Sequence, residues 1–126
     1  MTDRQRLFLY GTLKRGGLNH ALMAGQTYCG EARSAFGFRL IDLGEFPGLV
    51  SDPSDRTGVS GEVWSVDLVT LSRLDELEGV NEGLYRRERV QLQPPFDQAD
   101  LDTYIYAGST LGRATVPGGH WDVSRR

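Results

Sequence analysis

The chain has 126 residues, enough for one domain, residues 1–126, with its own core and no need of a disulfide or structural metal. Its 39% hydrophobic and 25% charged content is that of a soluble globular protein; the net charge of −3, with acids and bases interspersed, argues against a nucleic-acid footprint or a polybasic membrane patch. Cys29 is the only cysteine, so no intrachain disulfide can form, and without a signal peptide or apolar span the expected residence is cytoplasmic.

The first element is the apolar run Leu7-Phe8-Leu9-Tyr10, which has the composition of a buried strand. It ends at Gly11 and opens into Thr12-Leu13-Lys14-Arg15-Gly16-Gly17. A buried strand that opens into such a loop can aim backbone N–H groups at an anion. The loop fits neither the G-x-G-x-x-G nor the G-x-x-x-x-G-K-[ST] phosphate fingerprint, so a carboxylate suits it better than a nucleotide. The alternative is an ordinary tight turn.

Asn19 is placed to cap a short helix over His20–Ala24, with Gly25 as its stop. Strands are expected over 26–31 and 35–42, then a turn over 44–48 from which Leu49-Val50 leads out. Residues 51–58 read as a solvated connection and 59–67 as the next strand. A helix is expected over 68–78, where Leu71, Leu74 and Leu77 recur and Gly79 follows as a stop. Strands over 85–93, closed by Pro94-Pro95, and over 101–107 precede an irregular tail. Many short strands and one main helix suggest a small α+β protein built on a curled sheet or barrel.

Within the helix, Glu78 falls four residues after Leu74 and seven after Leu71, inside the apolar stripe. A carboxylate turned toward a core is costly unless paired or protonated, and burial raises its pKa. The negative end of the helix pushes the same way. An upward-tuned carboxyl group suits acid–base chemistry near neutral pH. If the helix stops at Leu77, however, Glu78 points into water.

Other constellations are weaker. His20 and His120 lack metal-ligand spacing, no G-x-S-x-G occurs, and Cys29 forms no nucleophile pair. Tyr85, Tyr104, Tyr106 and Trp121 could line a small pocket or serve only as core. Arg86, Arg87 and Arg89 read as a solvated strand face diluted by Glu82 and Glu88.

Leu9-Tyr10-Gly11-Thr12-Leu13-Lys14-Arg15-Gly16 with Asn19-His20, Phe46-Pro47-Gly48, Gly61-Glu62-Val63-Trp64, Leu74-Asp75-x-x-Glu78-Gly79 and Tyr85-Arg86-Arg87 together resemble the γ-glutamylcyclotransferase-like family. The branch resembled is that of the γ-glutamylamine cyclotransferases and their AIG2-like relatives. The resemblance spans roughly residues 7–107. It implies a small mixed β-barrel flanked by short α-helices, with a cavity at one end. It also implies a substrate loop at Tyr10, Gly11, Thr12 and Leu13, a general acid/base at Glu78 and a substrate-contacting tyrosine at Tyr85.

The reaction implied converts a γ-glutamyl amine or γ-glutamyl amino acid to 5-oxoproline and the free amine. It requires neither a metal nor an organic cofactor. The expected partner is a small-molecule γ-glutamyl substrate, not a nucleic acid or a membrane; the oligomeric state and the leaving amine are left open. Two alternatives stand beside it: a non-catalytic protein that binds a small carboxylate on the same barrel, and a structural or interaction protein with no useful cavity.

Overall fold

The computed structural model describes residues 3–124. The run Leu7-Phe8-Leu9-Tyr10 is unbroken in apolar character because both faces of the segment are buried. Its strand, β1 (Arg4–Leu9), sends Leu7 and Leu9 into one core cluster; Phe8, with Tyr10 just beyond, enters the other. A strand covered on both sides loses the polar alternation of a half-exposed one.

Around β1 lie β2 (Thr27–Arg33), β3 (Phe38–Asp42), β4 (Pro47–Ser51), β5 (Ser60–Asp67), β6 (Tyr85–Arg89) and β7 (Asp102–Tyr106). The sheet order is β2-β5-β1-β7-β4-β3, with β6 paired to β7. It is a mixed sheet: β1 and β4 run parallel to β7, while β1–β5, β2–β5, β3–β4 and β6–β7 are antiparallel. Because β6 covers one edge of β7 throughout, β1 and β4 share the other edge. β1 meets it at Asp102 and β4 at Ile105. The seam between them is closed by a side chain. Tyr10 donates its hydroxyl hydrogen to the Tyr104 carbonyl at 2.6 Å and accepts from the Leu49 N–H at 3.2 Å.

One α-helix follows β5 directly, α1 (Leu68–Leu77). Asp67 caps it by accepting the Thr70 N–H at 2.7 Å, the ordinary role of a short acid at that position. Thr70, Leu71 and Leu74 form its buried face, and the two leucines pack on the Leu7/Leu9 side of the sheet. Gly79 takes a positive φ of 65° just past the helix end, a conformation that glycine adopts freely.

The fold is therefore α+β, but three expectations need correction. The sheet does not close into a barrel: its end strands β2 and β3 do not pair, and the β2 side is joined to the segment after β6 by the isolated Ser34–Leu92 bridge and a side-chain bond from Gln93 to the Ser34 carbonyl, not by a strand ladder. The expected flanking α-helices reduce to α1 plus two short 3₁₀ turns, His20–Met23 and Pro117–Gly119. Asn19 does not cap the first of these with its side chain, which donates instead to the Thr12 hydroxyl at 2.9 Å. Finally, the expected turn over 44–48 contains the start of β4. Pro47 opens that strand, a position where the missing N–H is tolerated. Among the described residues no helix is long and apolar enough to cross a membrane.

Candidate active site

The residues that the resemblance assigned to the site all line one cavity of about 170 Å³. Tyr10, Gly11, Thr12 and Leu13 come from the loop after β1, Glu78 from the end of α1, and Tyr85 from the start of β6. Sequence reasoning missed several of the walls. Phe8, Leu9, Asn19, Phe46, Pro47, Leu77 and Leu84 also line the cavity, together with Tyr104. Of the four aromatic candidates, Tyr85 and Tyr104 reach it and Tyr106 does not; Trp121 is buried in the other core cluster. Asn19 and the Phe46-Pro47 pair stood within the resembling motifs and could have been found there.

The loop is held from behind. Lys14 donates its N–H to the Gly11 carbonyl and Asn19 to the Thr12 carbonyl. The buried Lys14 ammonium donates to the Trp121 carbonyl at 2.9 Å, and burial lowers its pKa. Arg15 bonds Glu62 through both its backbone N–H and its guanidinium, at 3.0 and 3.1 Å. Burial pushes the Glu62 carboxyl up, but these bonds and one from Trp64 Nε1 outweigh it and hold the group below the usual carboxylate range. The basic residues of the loop thus act as anchors on a separate charged cleft. Among the described residues the N–H groups of Gly11, Thr12 and Leu13 donate to no protein acceptor. Three unpaired amides on one cavity wall are donors that an anion could accept from. Gly11 has a spatial reason to be glycine: a Cβ there would lie 2.9 Å from Cγ and Cδ of Pro47 across the cavity.

Glu78 is the residue immediately after α1, and its backbone (φ −79°, ψ −1°) keeps the helical turn. So although the helix ends at Leu77, the Glu78 side chain is half-buried on the cavity wall and does not point into open water. No hydrogen bond or ion pair reaches its carboxylate among the described residues. Burial alone raises its pKa from 4.5 to about 7. Its position at the carbonyl end of the helix acts in the same direction.

The two tyrosines from the sequence reading are bonded to the scaffold. Tyr85 donates its hydroxyl to the Pro47 carbonyl at 2.8 Å, and Tyr10 closes the β1–β4 seam. Both phenols are held protonated, first by burial; Tyr85 and Glu78 add to this at Tyr10, and Glu78 and Tyr106 at Tyr85. A third phenol, Tyr104, donates to Asp75 at 2.7 Å. Asp75 also accepts from Arg87 at 3.0 Å, and Arg87 donates to Asp102 at 2.7 Å. The arginine expected on a solvated face is instead a clamp between α1, β6 and β7.

An open mixed sheet with a helix-end carboxyl group and a strand-end amide loop sharing one cavity defines a fold class known from solved structures. The crystal structure of an AIG2-like protein from Mus musculus superposes with a TM-score of 0.79 at 28% identity, covering 94% of this chain and 88% of that one. The model of the family described as gamma-glutamyl cyclotransferase, AIG2-like, matches residues 7–123, and the chain belongs to that family. Similar proteins include a γ-glutamylcyclotransferase family protein of Citrobacter rodentium, 34% identical over 92% of this chain and 94% of that protein. The γ-glutamylaminecyclotransferase of Rattus norvegicus is 36% identical over 69% of this chain and 62% of its own length. Membership supports cyclotransferase activity in general terms.

Proposed function

We propose that the protein is a γ-glutamylcyclotransferase that releases 5-oxoproline and a free amine from a γ-glutamyl amide, with Glu78 as its general acid/base. The observation that carries this reading is a carboxyl group with no protein partner, tuned to about 7, in the same cavity as three unpaired amides.

The Gly11, Thr12 and Leu13 amides hold the substrate α-carboxylate and fold the glutamyl chain so that its α-nitrogen approaches its own γ-carbonyl. Bringing tethered groups into a near-attack pose supplies roughly 7–11 kcal/mol. Glu78 accepts a proton from the α-ammonium group, and the freed amine forms a bond to the γ-carbon. As the old carbon–nitrogen bond breaks, Glu78 delivers that proton to the departing nitrogen. The second α-nitrogen proton follows the same route as the lactam nitrogen becomes neutral, so the amine leaves as an ammonium ion. Accepting and returning a proton is favoured when the carboxyl pKa lies near the working pH. Tyr10, Tyr85 and Tyr104 shape the walls with their rings.

The test is incubation of wild type and Glu78→Gln with a γ-glutamyl amide, scored for 5-oxoproline by chromatography. Release by wild type and its loss in the variant supports the proposal. Ligand binding by calorimetry without release by wild type supports the carboxylate-binding alternative and overturns the enzyme.

A further inference from the structure

The segment that leaves β7, residues 107–114, is fastened at its two ends. At its start the Ala107 N–H donates to the Leu84 carbonyl at 2.9 Å, and at its end the Ala114 carbonyl accepts from the Asp42 N–H at 2.8 Å. Between these feet the bonds found among the described residues are local. Arg113 donates its N–H to the Thr110 carbonyl at 3.1 Å, and Leu111 donates to the Ser109 hydroxyl at 3.2 Å. Every residue from 107 to 114 is exposed. A stretch with few contacts outside itself belongs to the part of a fold that moves most easily.

Both feet stand at the mouth of the cavity. Leu84 is one of its walls. Asp42 leads into the turn that Leu43 closes by donating to the Phe46 carbonyl at 3.0 Å, and Phe46 is another wall. β7 runs parallel to β1, so its exit lies at the same end of the sheet as the amide loop. The side is also the same: a Cβ at Gly108 would meet the Tyr106 phenol, whose ring packs edge-on against the cavity tyrosine Tyr85 at 5.5 Å. At the apex stands Leu111, 89% exposed, more than any other large apolar side chain described. It is three residues from Ala114. Chain reach is at most about 3.6 Å per residue, which keeps the apex within roughly 11 Å of that foot. Phe46 and Leu84 beside the feet are themselves large, apolar and 38–40% exposed. Apolar groups left in water on a loop and on the rim between its feet gain by meeting.

We infer that residues 107–114 form a strap that closes over the occupied cavity, with Leu111 seated on the Phe46–Leu84 rim as the residue that covers the substrate. This rests on the proposed cyclotransferase reaction and deepens it. A substrate held by the amide loop fills the chamber below the rim and gives Leu111 a second surface to cover. Binding and closure therefore favour each other, since the ligand gains contacts only in the closed form. Closure of this kind shields the reacting groups from solvent and commits the bound molecule to reaction. The feet stay fixed while the residues between them turn, and Gly112, at a positive φ of 74°, supplies freedom next to the apex.

The experiment uses two substitutions at the apex of the full chain and γ-glutamyl-n-butylamide as the probe. Leu111→Ser is expected to lower kcat/KM for 5-oxoproline release about tenfold or more, chiefly through KM, because the covering leucine is lost. Its melting temperature is expected to equal that of wild type, since a side chain 89% exposed holds nothing in the open fold. Leu111→Trp is combined with Glu78→Gln so that the amide stays unconverted, and saturation is fixed by calorimetry. Its emission is expected to move to shorter wavelength on binding, as the indole leaves water. Glu78→Gln alone, with Trp64 and Trp121 already buried, is expected to show no such shift. Wild-type kcat/KM in Leu111→Ser overturns the strap while leaving the cyclotransferase reading intact. So does unchanged emission at saturation. Failure of wild type to release 5-oxoproline overturns the underlying reaction and the inference with it.

Discussion

The hydroxyl of Tyr10 donates to the carbonyl of Tyr104 at 2.6 Å where β1 and β4 part along the same edge of β7. A side chain here does what a backbone group does elsewhere in the ladder. Tyr10→Phe removes it and leaves the Tyr104 carbonyl and the Leu49 N–H, its other partner, without that bond. Losing a buried hydrogen bond so that its partners go unsatisfied costs about 1–3 kcal/mol. Urea unfolding is expected to show a lower midpoint at unchanged slope.

Glu78→Gln separates activity from stability. The variant is expected to lose about 10²–10⁴-fold in turnover, the usual contribution of a positioned acid/base. Its stability moves the other way. In the unfolded chain the carboxyl group ionises from about 4.5, whereas in the folded protein it holds its proton to about 7. Wild-type stability therefore falls as pH rises between these values and stays low above them. At pH 8 the glutamine variant is expected to be more stable by on the order of 2 kcal/mol, and at pH 4 to match wild type. Thermal melts at the two pH values check this. Equal melts at pH 8 would remove the strained carboxylate from the account.

The same group sets the pH dependence of the reaction. If Glu78 must be ionised to accept the first proton, kcat/KM is expected to rise with pH and level off above about 7. Residual activity in Glu78→Gln should lack that acid limb. A limb that survives in the variant would assign it to another group.

Gly17 supports the amide loop without touching the cavity. A Cβ at this position would lie 2.2 Å from the Thr12 carbonyl oxygen and 2.9 Å from that of Lys14. Both contacts are backbone, so Gly17→Ala must shift the loop. Displacing a binding group by about 1 Å costs on the order of a hundredfold in efficiency. The variant is expected to lose kcat/KM at least tenfold through KM, with a far-ultraviolet circular dichroism spectrum like that of wild type.

Arg87 joins α1 to β6 and β7 through Asp75 and Asp102, whose side chains are only 27% and 14% exposed. Arg87→Ala leaves Asp75 without its cation and Asp102 with Arg89 alone, at 3.4 Å. Removing one member of a partly buried network is expected to lower stability by about 1–3 kcal/mol. Adding salt should recover part of the loss by screening. Denaturant unfolding at low and high ionic strength distinguishes this from a simple packing defect.

What could be read from the chain follows from where each signal is written. β1 was legible because burial on two faces leaves a continuous apolar run. α1 was legible because Leu71 and Leu74 recur along one face and Gly79 stops it. Glu78 was legible as the acid out of place on that face, although it belongs to the turn just beyond the helix. β4 was hidden because Pro47 and Gly48 look like turn residues. Only the neighbours β3 and β7 make them a strand. The segment after Arg89 alternates like a strand, and Val90 and Leu92 are indeed buried, but β6 stops there and only Leu92 finds a bridge. The roles of Arg87 and Asn19 depend on partners distant in sequence, Asp102 and Thr12, which spacing alone does not bring together. The outer wall Leu84 was invisible for the same reason, whereas Phe46 stood within a resembling motif.

The amide loop and the helix-end carboxyl group face one chamber from opposite halves of the chain. A small molecule gripped by both would fasten the first strand's exit to the terminus of α1, as a removable cross-link does. Occupancy and thermal tolerance would then rise together, and a substrate mimic would protect the fold as well as block the reaction.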